Sequence, residues 1–557
     1  MASNNYRRTS APLSWRLGIT ATALLLAMPV LVVTSYALIP AGEVWQHLAN
    51  TVLTDYISNS LLLMLEVTVG TLLIGVSTAW LTTMCRFPGR GFFEWALLLP
   101  MAMPAYIIAY TYTGMFDVAG PVQSTLRDWF DLRYGDYWFP EIRSLWGAGG
   151  MLSLTLYPYV YLLSRAAFLD QSVCVLEVSR SLGNGPWRTF FRVALPLARP
   201  AVVAGLSLAL METLADYGTV QYFGIGTFTT GIFRTWFGMD DSAAAAQLST
   251  ALLLFVFTLV LLERWSRRKM RYHHSSQRHQ SLPGFVLRGR QKLGAVLICS
   301  AALFFGFLLP AGQLLWWAIE TREMIDGEFL RLILHTVGLA AGTALLALLL
   351  ALLMGYGRRL SPDRATVVAV RVAGMGYAVP GTVIAVGVML PLAWLDNSID
   401  SWLRAHFDIS SGLLLSGTLV ALVLAYLVRF LAVSLQTVEA GLGKIKQSID
   451  ESARTLGASP GQVLHRVHLP MLRGSLLTAL LLVFVDVMKE LPATLVLRPF
   501  NFNTLAVRAF ELASDERLQD SASAALTIVL AGIIPVILLS RSIRNSREKH
   551  DLSTGTE

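Results

Sequence analysis

Residues 177–199 read EVSRSLGNGPWRTFFRVALPLAR, and residues 451–473 read ESARTLGASPGQVLHRVHLPMLR. At a constant offset of 274 the two stretches agree at ten of 23 positions without a gap. The identities are Glu177, Arg180, Leu182, Gly183, Pro186, Arg192, Val193, Leu195, Pro196 and Arg199. Their partners are Glu451, Arg454, Leu456, Gly457, Pro460, Arg466, Val467, Leu469, Pro470 and Arg473. Most of these are charged, Gly or Pro, so shared apolarity does not produce the match. An internal repeat of this kind settles the architecture before any other feature. Each copy predicts a short amphipathic helix carrying Glu and Arg, a Gly that permits a positive-φ turn, and a second helical stretch. A Leu-Pro then re-enters the apolar sequence, with Pro in a first turn where its missing donor is not needed. Such a helix lies across the end of a bundle and offers a docking surface.

Outward from the repeat, the chain is apolar. Of its 557 residues, 54% are hydrophobic and only 14% charged, whereas a soluble protein is nearer ~25% charged. Twelve apolar runs follow one another from 17–39 to 521–540, each long enough to cross a hydrocarbon core of ~30 Å. No period-2 alternation marks barrel strands, so the spans are helices. The net charge of +8 therefore does not indicate a nucleic-acid partner. Cys85, Cys174 and Cys299 are scattered and odd in number, which supports neither a disulfide framework nor a Cys-based metal site. Arg7, Arg8 and Arg16 precede an apolar run that is longer than a secretory h-region, so the first span reads as a retained anchor contacting lipid.

The basic residues set the orientation. With the N-terminus in the cytoplasm, most of the 44 Lys and Arg fall on that side and more than half of the 36 acids fall outside. This is the positive-inside pattern, with both termini cytoplasmic. The stretch 264–292, with nine basic residues, no acids, and His273, His274 and His279, reads as a linker drawn to anionic headgroups. The expected organisation is a tail, first span and outer loop (1–56), a first repeat core (57–263) and the linker (264–292). A span with its outer loop (293–331), a second repeat core (332–541) and a C-terminal cytoplasmic tail (542–557) follow. Six spans per half return the chain to the same side, so the repeats are parallel.

A Glu, a Gly six residues on, an aliphatic residue ten further on, then x-Leu-Pro resembles the EAA loop of ABC importer permeases. Glu177, Gly183, Val193 and Leu195-Pro196 fit it, as do Glu451, Gly457, Val467 and Leu469-Pro470. The resemblance implies an all-α, type I ABC importer permease fold of about twelve helices in two fused six-helix repeats. It also implies that Glu177, Arg180, Gly183, Leu195, Pro196, Glu451, Arg454, Gly457, Leu469 and Pro470 couple the chain to a separate ATPase. Two loops in one chain imply that it alone engages an ATPase homodimer, which uses ATP and Mg. The chain itself is then no enzyme and binds no cofactor: GLGKIKQS at 441–448 lacks the P-loop spacing. Residues 100–123, 209–237, 377–388 and 486–518 are similar to the fused permeases of periplasmic ferric-iron importers. That likeness implies Fe(III) handed over by a periplasmic ferric-binding protein at a bacterial inner membrane. Thiamine or polyamine import is the alternative within the class. A twelve-span secondary carrier is the rival outside it, and two EAA spacings argue against that.

Carboxylates inside spans are costly, so they are functional-site hypotheses. Glu212 and Asp216 are one helical turn apart, as are Asp486 and Glu490, and the offset of 274 superposes the pairs. They suit a cation path, since Fe(III) favours hard oxygen ligands, with Tyr217 adjacent. Glu212, Asp216, Asp486 and Glu490 are thus candidate transient metal ligands. Lys489 neutralising Asp486, with structural hydrogen bonding of the others, is the alternative. Glu66 reads as an isolated packing contact.

Overall fold

The computed structural model describes residues 13–40, 42–169, 171, 181, 185–268, 285–321 and 326–554. The helices used below are α1 (Leu13–Ser35), α2 (Leu53–Met84), α3 (Ala105–Phe116), α4 (Leu145–Leu169) and α5 (Leu195–Ala215). They continue with α6 (Gly218–Tyr222), α7 (Ser242–Arg268), α8 (Gly327–Leu360), α9 (Gly381–Phe407) and α10 (Leu419–Gly443). Last come α11 (Gln447–Thr455), α12 (Leu469–Met488), α13 (Pro492–Leu497) and α14 (Ala522–Thr554). Among the described residues the strand content is one parallel bridge, Cys85–Arg86 with Phe285–Val286.

Nine described helices are long and apolar enough to cross a membrane, ten if one bent pair counts as a span. Three of the expected runs, 92–116, 146–169 and 521–540, are not among the nine, and the second is one unbroken 25-residue helix, α4, whose apolarity Gly, Tyr and Arg165 dilute. The run at 92–116 turns through 90° between Arg90–Ala102 and Ala105–Phe130, where Pro104 withholds a donor and opens the helix. The run at 366–395 divides into Arg364–Ala373 and α9 around Pro380. In α14 the apolar part is short, Ala522–Leu538.

Two compact units make up the chain, one from 1–41, 235–250 and 325–507, the other from 42–234, 251–324 and 508–557. In the first, α8, α10 and α12 pack on one another, and α1 packs against α9 and Arg364–Ala373. Gly387 makes the α1–α9 approach possible: a Cβ there would lie 2.3 Å from the Pro29 carbonyl oxygen. Arg16 fixes the start of α1 by an ion pair to Asp363 at 2.7 Å. In the second unit α2, α4 and α5 pack together, and α14 packs on Leu309–Glu320. Each unit therefore draws helices from both halves of the sequence. The expected segment boundaries follow the repeat, whereas these units follow packing.

Candidate functional site

The second repeat segment forms α11, as its amphipathic pattern requires. The helix ends at Thr455 with Leu456 as its C-cap, and Gly457 adopts φ +83°. The Gly457 N–H donates to the Arg454 carbonyl at 2.9 Å and the Ala458 N–H to the Ala453 carbonyl at 3.1 Å. This paired closure is the Schellman arrangement, and a left-handed glycine is what it needs. Ser459 and Gln462 then build a capping box, with Pro460 in the first turn. Glu451 is exposed on α11, and Leu456 is 88% exposed at its end. Among the described residues nothing covers this large apolar side chain.

Leu469-Pro470 does not follow a break, contrary to the expected re-entry. Pro460–Met488 is one continuous span, and the five residues Leu464–His468 form a π turn before Leu469. Phe190–Ala194 does the same before Leu195 and Pro196, inside the span Trp187–Ala215. The wider turn accommodates the proline, which would clash in a regular helix. Glu177, Arg180 and Gly183 lie outside the described residues, as do His273, His274 and His279.

Behind the exposed face, α11 is tied down through Asp450, one residue before Glu451. Asp450 Oδ2 accepts from Arg359 Nε at 2.7 Å, and Oδ1 lies 2.7 Å from His468 Nε2. Burial alone would raise this carboxyl, but the hydrogen bonds from Arg359 and His468 hold it below its ordinary value. Arg359 also donates to the carbonyls of Leu442 and Ile445. Tyr356 sets its ring edge-on to His468 at 5.1 Å and donates to the Pro460 carbonyl at 2.8 Å.

The carboxylate pairs do not share one continuous helix face. Helix α5 ends at Ala215, and Asp216 turns away with ψ 132°; α12 ends at Met488, before Glu490. Both spans are broken here, and the second acid of each pair caps the helix that follows. Asp216 accepts from Thr219 N and Val220 N, each at 3.1 Å, and from Thr219 Oγ1 at 3.0 Å. Glu490 accepts from Ala493 N and Thr494 N, each at 3.1 Å, and from Thr494 Oγ1 at 2.9 Å. The i+3 and i+4 pattern is the same, and in a membrane it satisfies the donors that a broken helix would otherwise strand.

In the second half cations accompany the acids. Arg429 Nη1 reaches Glu490 Oε1 at 3.2 Å, and Lys489 Nζ reaches Asp486 Oδ1 at 2.8 Å. Gly381 leaves room for the first pair, since a Cβ there would lie 2.7 Å from both Arg429 Nη1 and Glu490 Oε1. Tyr217 is buried and stacks on Phe233 at 3.8 Å between ring centroids. Among the described residues no three His, Cys, Asp or Glu side chains come together as a metal-binding group. Glu66 presses on Gly149, where a Cβ would come within 2.0 Å of its Oε2. Sequence reasoning missed Arg429, Arg359 and His468; a lone Arg within the apolar run of α10 was the available signal. The breaks also had a signature, in Pro492 two residues after Glu490 and Gly218 two after Asp216.

Comparison with known proteins gives the same twofold division. The family described as "Binding-protein-dependent transport system inner membrane component" matches twice, at residues 71–272 and 347–548. The Fe(3+)-transport system permease protein FbpB 2 of Haemophilus influenzae is 27% identical over 534 residues, covering 94% of this chain and 98% of the relative. The molybdenum transport system permease protein ModB of Escherichia coli is 26% identical over 227 residues, 39% of this chain and 96% of the relative. The sulfate transport system permease protein CysT of Escherichia coli is 27% identical over 237 residues, 41% of this chain and 83% of the relative.

Proposed function

Because this chain belongs to the binding-protein-dependent inner membrane component family of transport systems, carrying its domain twice, we propose that it is the complete membrane permease of an ATP-driven ferric-iron importer. Both termini lie in the cytoplasm, and a periplasmic binding protein delivers Fe(III) from the other side. An ATPase homodimer grips the two loops, at Glu177, Arg180, Gly183, Leu195 and Pro196 and at Glu451, Arg454, Gly457, Leu469 and Pro470. ATP and Mg are consumed there, and closure of the dimer drives alternating access of the spans. The exposed Leu456 and Glu451 on α11 suit such a groove.

The observation that carries the substrate is the alignment with the ferric permease across both halves, where the molybdenum and sulfate permeases match about one half. The pathway residues proposed are Glu212, Asp216 and Tyr217 in one unit and Asp486 and Glu490 in the other, the carboxylates of each unit being transient oxygen contacts for the passing ion. Hard oxygen donors suit Fe(III).

Radiolabelled iron uptake under iron limitation, in cells with and without this gene, tests the reading. Deletion is expected to abolish energy-dependent ferric uptake, and the plasmid-borne gene to restore it. Unchanged iron uptake with redundant importers removed would retire iron and leave thiamine or a polyamine. Gly457→Val, which forces a β-branched residue to φ +83°, is expected to abolish uptake while the protein still reaches the membrane.

A further inference from the structure

Asp450 and Glu451 are neighbours on α11 with opposite surroundings: Glu451 is exposed, Asp450 buried. One carboxylate joins three elements. Arg359 is in the last turn of α8, Asp450 in α11, and His468, fully buried, in the π turn that leads into α12. Both contacts are 2.7 Å long, the length of charge-assisted hydrogen bonds, which hold geometry tightly. The guanidinium also grips the Leu442 and Ile445 carbonyls that lead into α11. Helices α8 and α12 are two of the three that pack together in their unit.

The first half lacks these side chains. Helices α2 and α8 end 276 residues apart, at Met84 and Leu360, so Thr83 stands where Arg359 does. Leu176 and Ala194 stand at the offset of 274 from Asp450 and His468. At that end of α2, Trp80 packs on Phe190 at 5.0 Å and on Phe168 at 5.7 Å, and the Ala194 carbonyl accepts from Gln171 Nε2 at 2.7 Å where the second half has the buried His468–Asp450 contact.

We propose that Asp450 is a positioning residue for coupling: through Arg359 and His468 it makes α11, α8 and α12 move as one body. The second loop is thereby a rigid lever. Replacing a buried charge network by apolar residues is often neutral for stability, and fixing register is the best-attested use of such a network, which is the role assigned here. The inference rests on the permease reading above.

The test uses the full permease with its ATPase subunits and binding protein in liposomes, measuring ATP hydrolysis and iron uptake together. Two variants are compared, Asp450→Asn and the triple Arg359→Thr/Asp450→Leu/His468→Ala. The triple copies the first half's residues and leaves no charge stranded in the interior, so it folds where a single substitution fails. Glu439→Gln, which breaks the Arg358–Glu439 pair of 2.7 Å without touching α11, is the control. The expected result is normal assembly and hydrolysis, with iron moved per ATP lowered about tenfold in the triple and unchanged in the control. Wild-type iron per ATP in the triple overturns the proposal. So does hydrolysis falling in proportion to uptake, which marks a merely structural role. Failure of the wild-type chain to bind any ATPase subunit overturns the permease reading, and this proposal with it.

Discussion

The two broken spans use one device at different electrostatic cost. In both, a carboxylate just past the break caps the next short helix through backbone donors three and four residues on. The second break adds Arg429 and Lys489; the first has Thr155 and Ala215 at the positions 274 residues earlier. A common backbone solution has thus been kept while the charge around it was changed. The cap is common to both breaks, and Arg429 and Lys489 stand at positions that are uncharged in the first half.

The largest effect that could break this comparison is at Glu490. Glu490→Ala leaves Arg429 buried without that carboxylate and is expected to cost about 3–5 kcal/mol, read as a fall in thermal stability of the purified protein. Asp216→Ala removes a cap without that ion pair and is expected to cost about 1–2 kcal/mol. Equal losses would mean that Arg429 adds nothing beyond the cap. Gly381→Ala comes next. Its methyl would sit 2.7 Å from both partners of the ion pair, and overpacking of this kind costs about 1–3 kcal/mol. Ala105, the matching residue of the first half, already carries that methyl, so Ala105→Gly is expected to change stability little.

The smallest effect is on the acid side. The Arg16 hydrogen bond, helped by the Thr366 backbone N–H, holds the Asp363 carboxyl well below the usual carboxylate range. A lowered native value means that the stabilising contribution is complete above the unfolded value of ~3.9 and is lost as pH falls through the native one. The pair is partly exposed, 42% and 30% for the two side chains, so its worth is under about 1 kcal/mol. Asp363→Asn is expected to lower stability slightly near neutrality and to flatten its loss below pH ~4. A variant that matches wild type at every pH would show the pair to be idle.

Much of this was legible in the sequence. The helical membrane class followed from apolar runs, and the twofold architecture from charged, Gly and Pro identities that packing alone does not enforce. Gly457 was readable as a left-handed turn because few other residues tolerate it. What hydropathy could not register was local geometry. An apolar run continues through Asp216 and Glu490 although the helix does not, because a side-chain cap replaces the lost backbone bonds at no cost in composition. The exchange of helices between units was hidden for a similar reason: the repeat fixes order along the chain, and packing decides neighbours. Arg359, Asp450 and His468 are 91 and 18 residues apart along the chain, and only the fold brings them together.

The central claim is that one chain does the work of two half-permeases. Native mass spectrometry of the complex purified with the proposed ATPase subunit tests it most directly. One copy of this chain with two ATPase copies is the predicted stoichiometry. Two copies of this chain with two ATPase copies would contradict it, since each chain would then offer only one working loop.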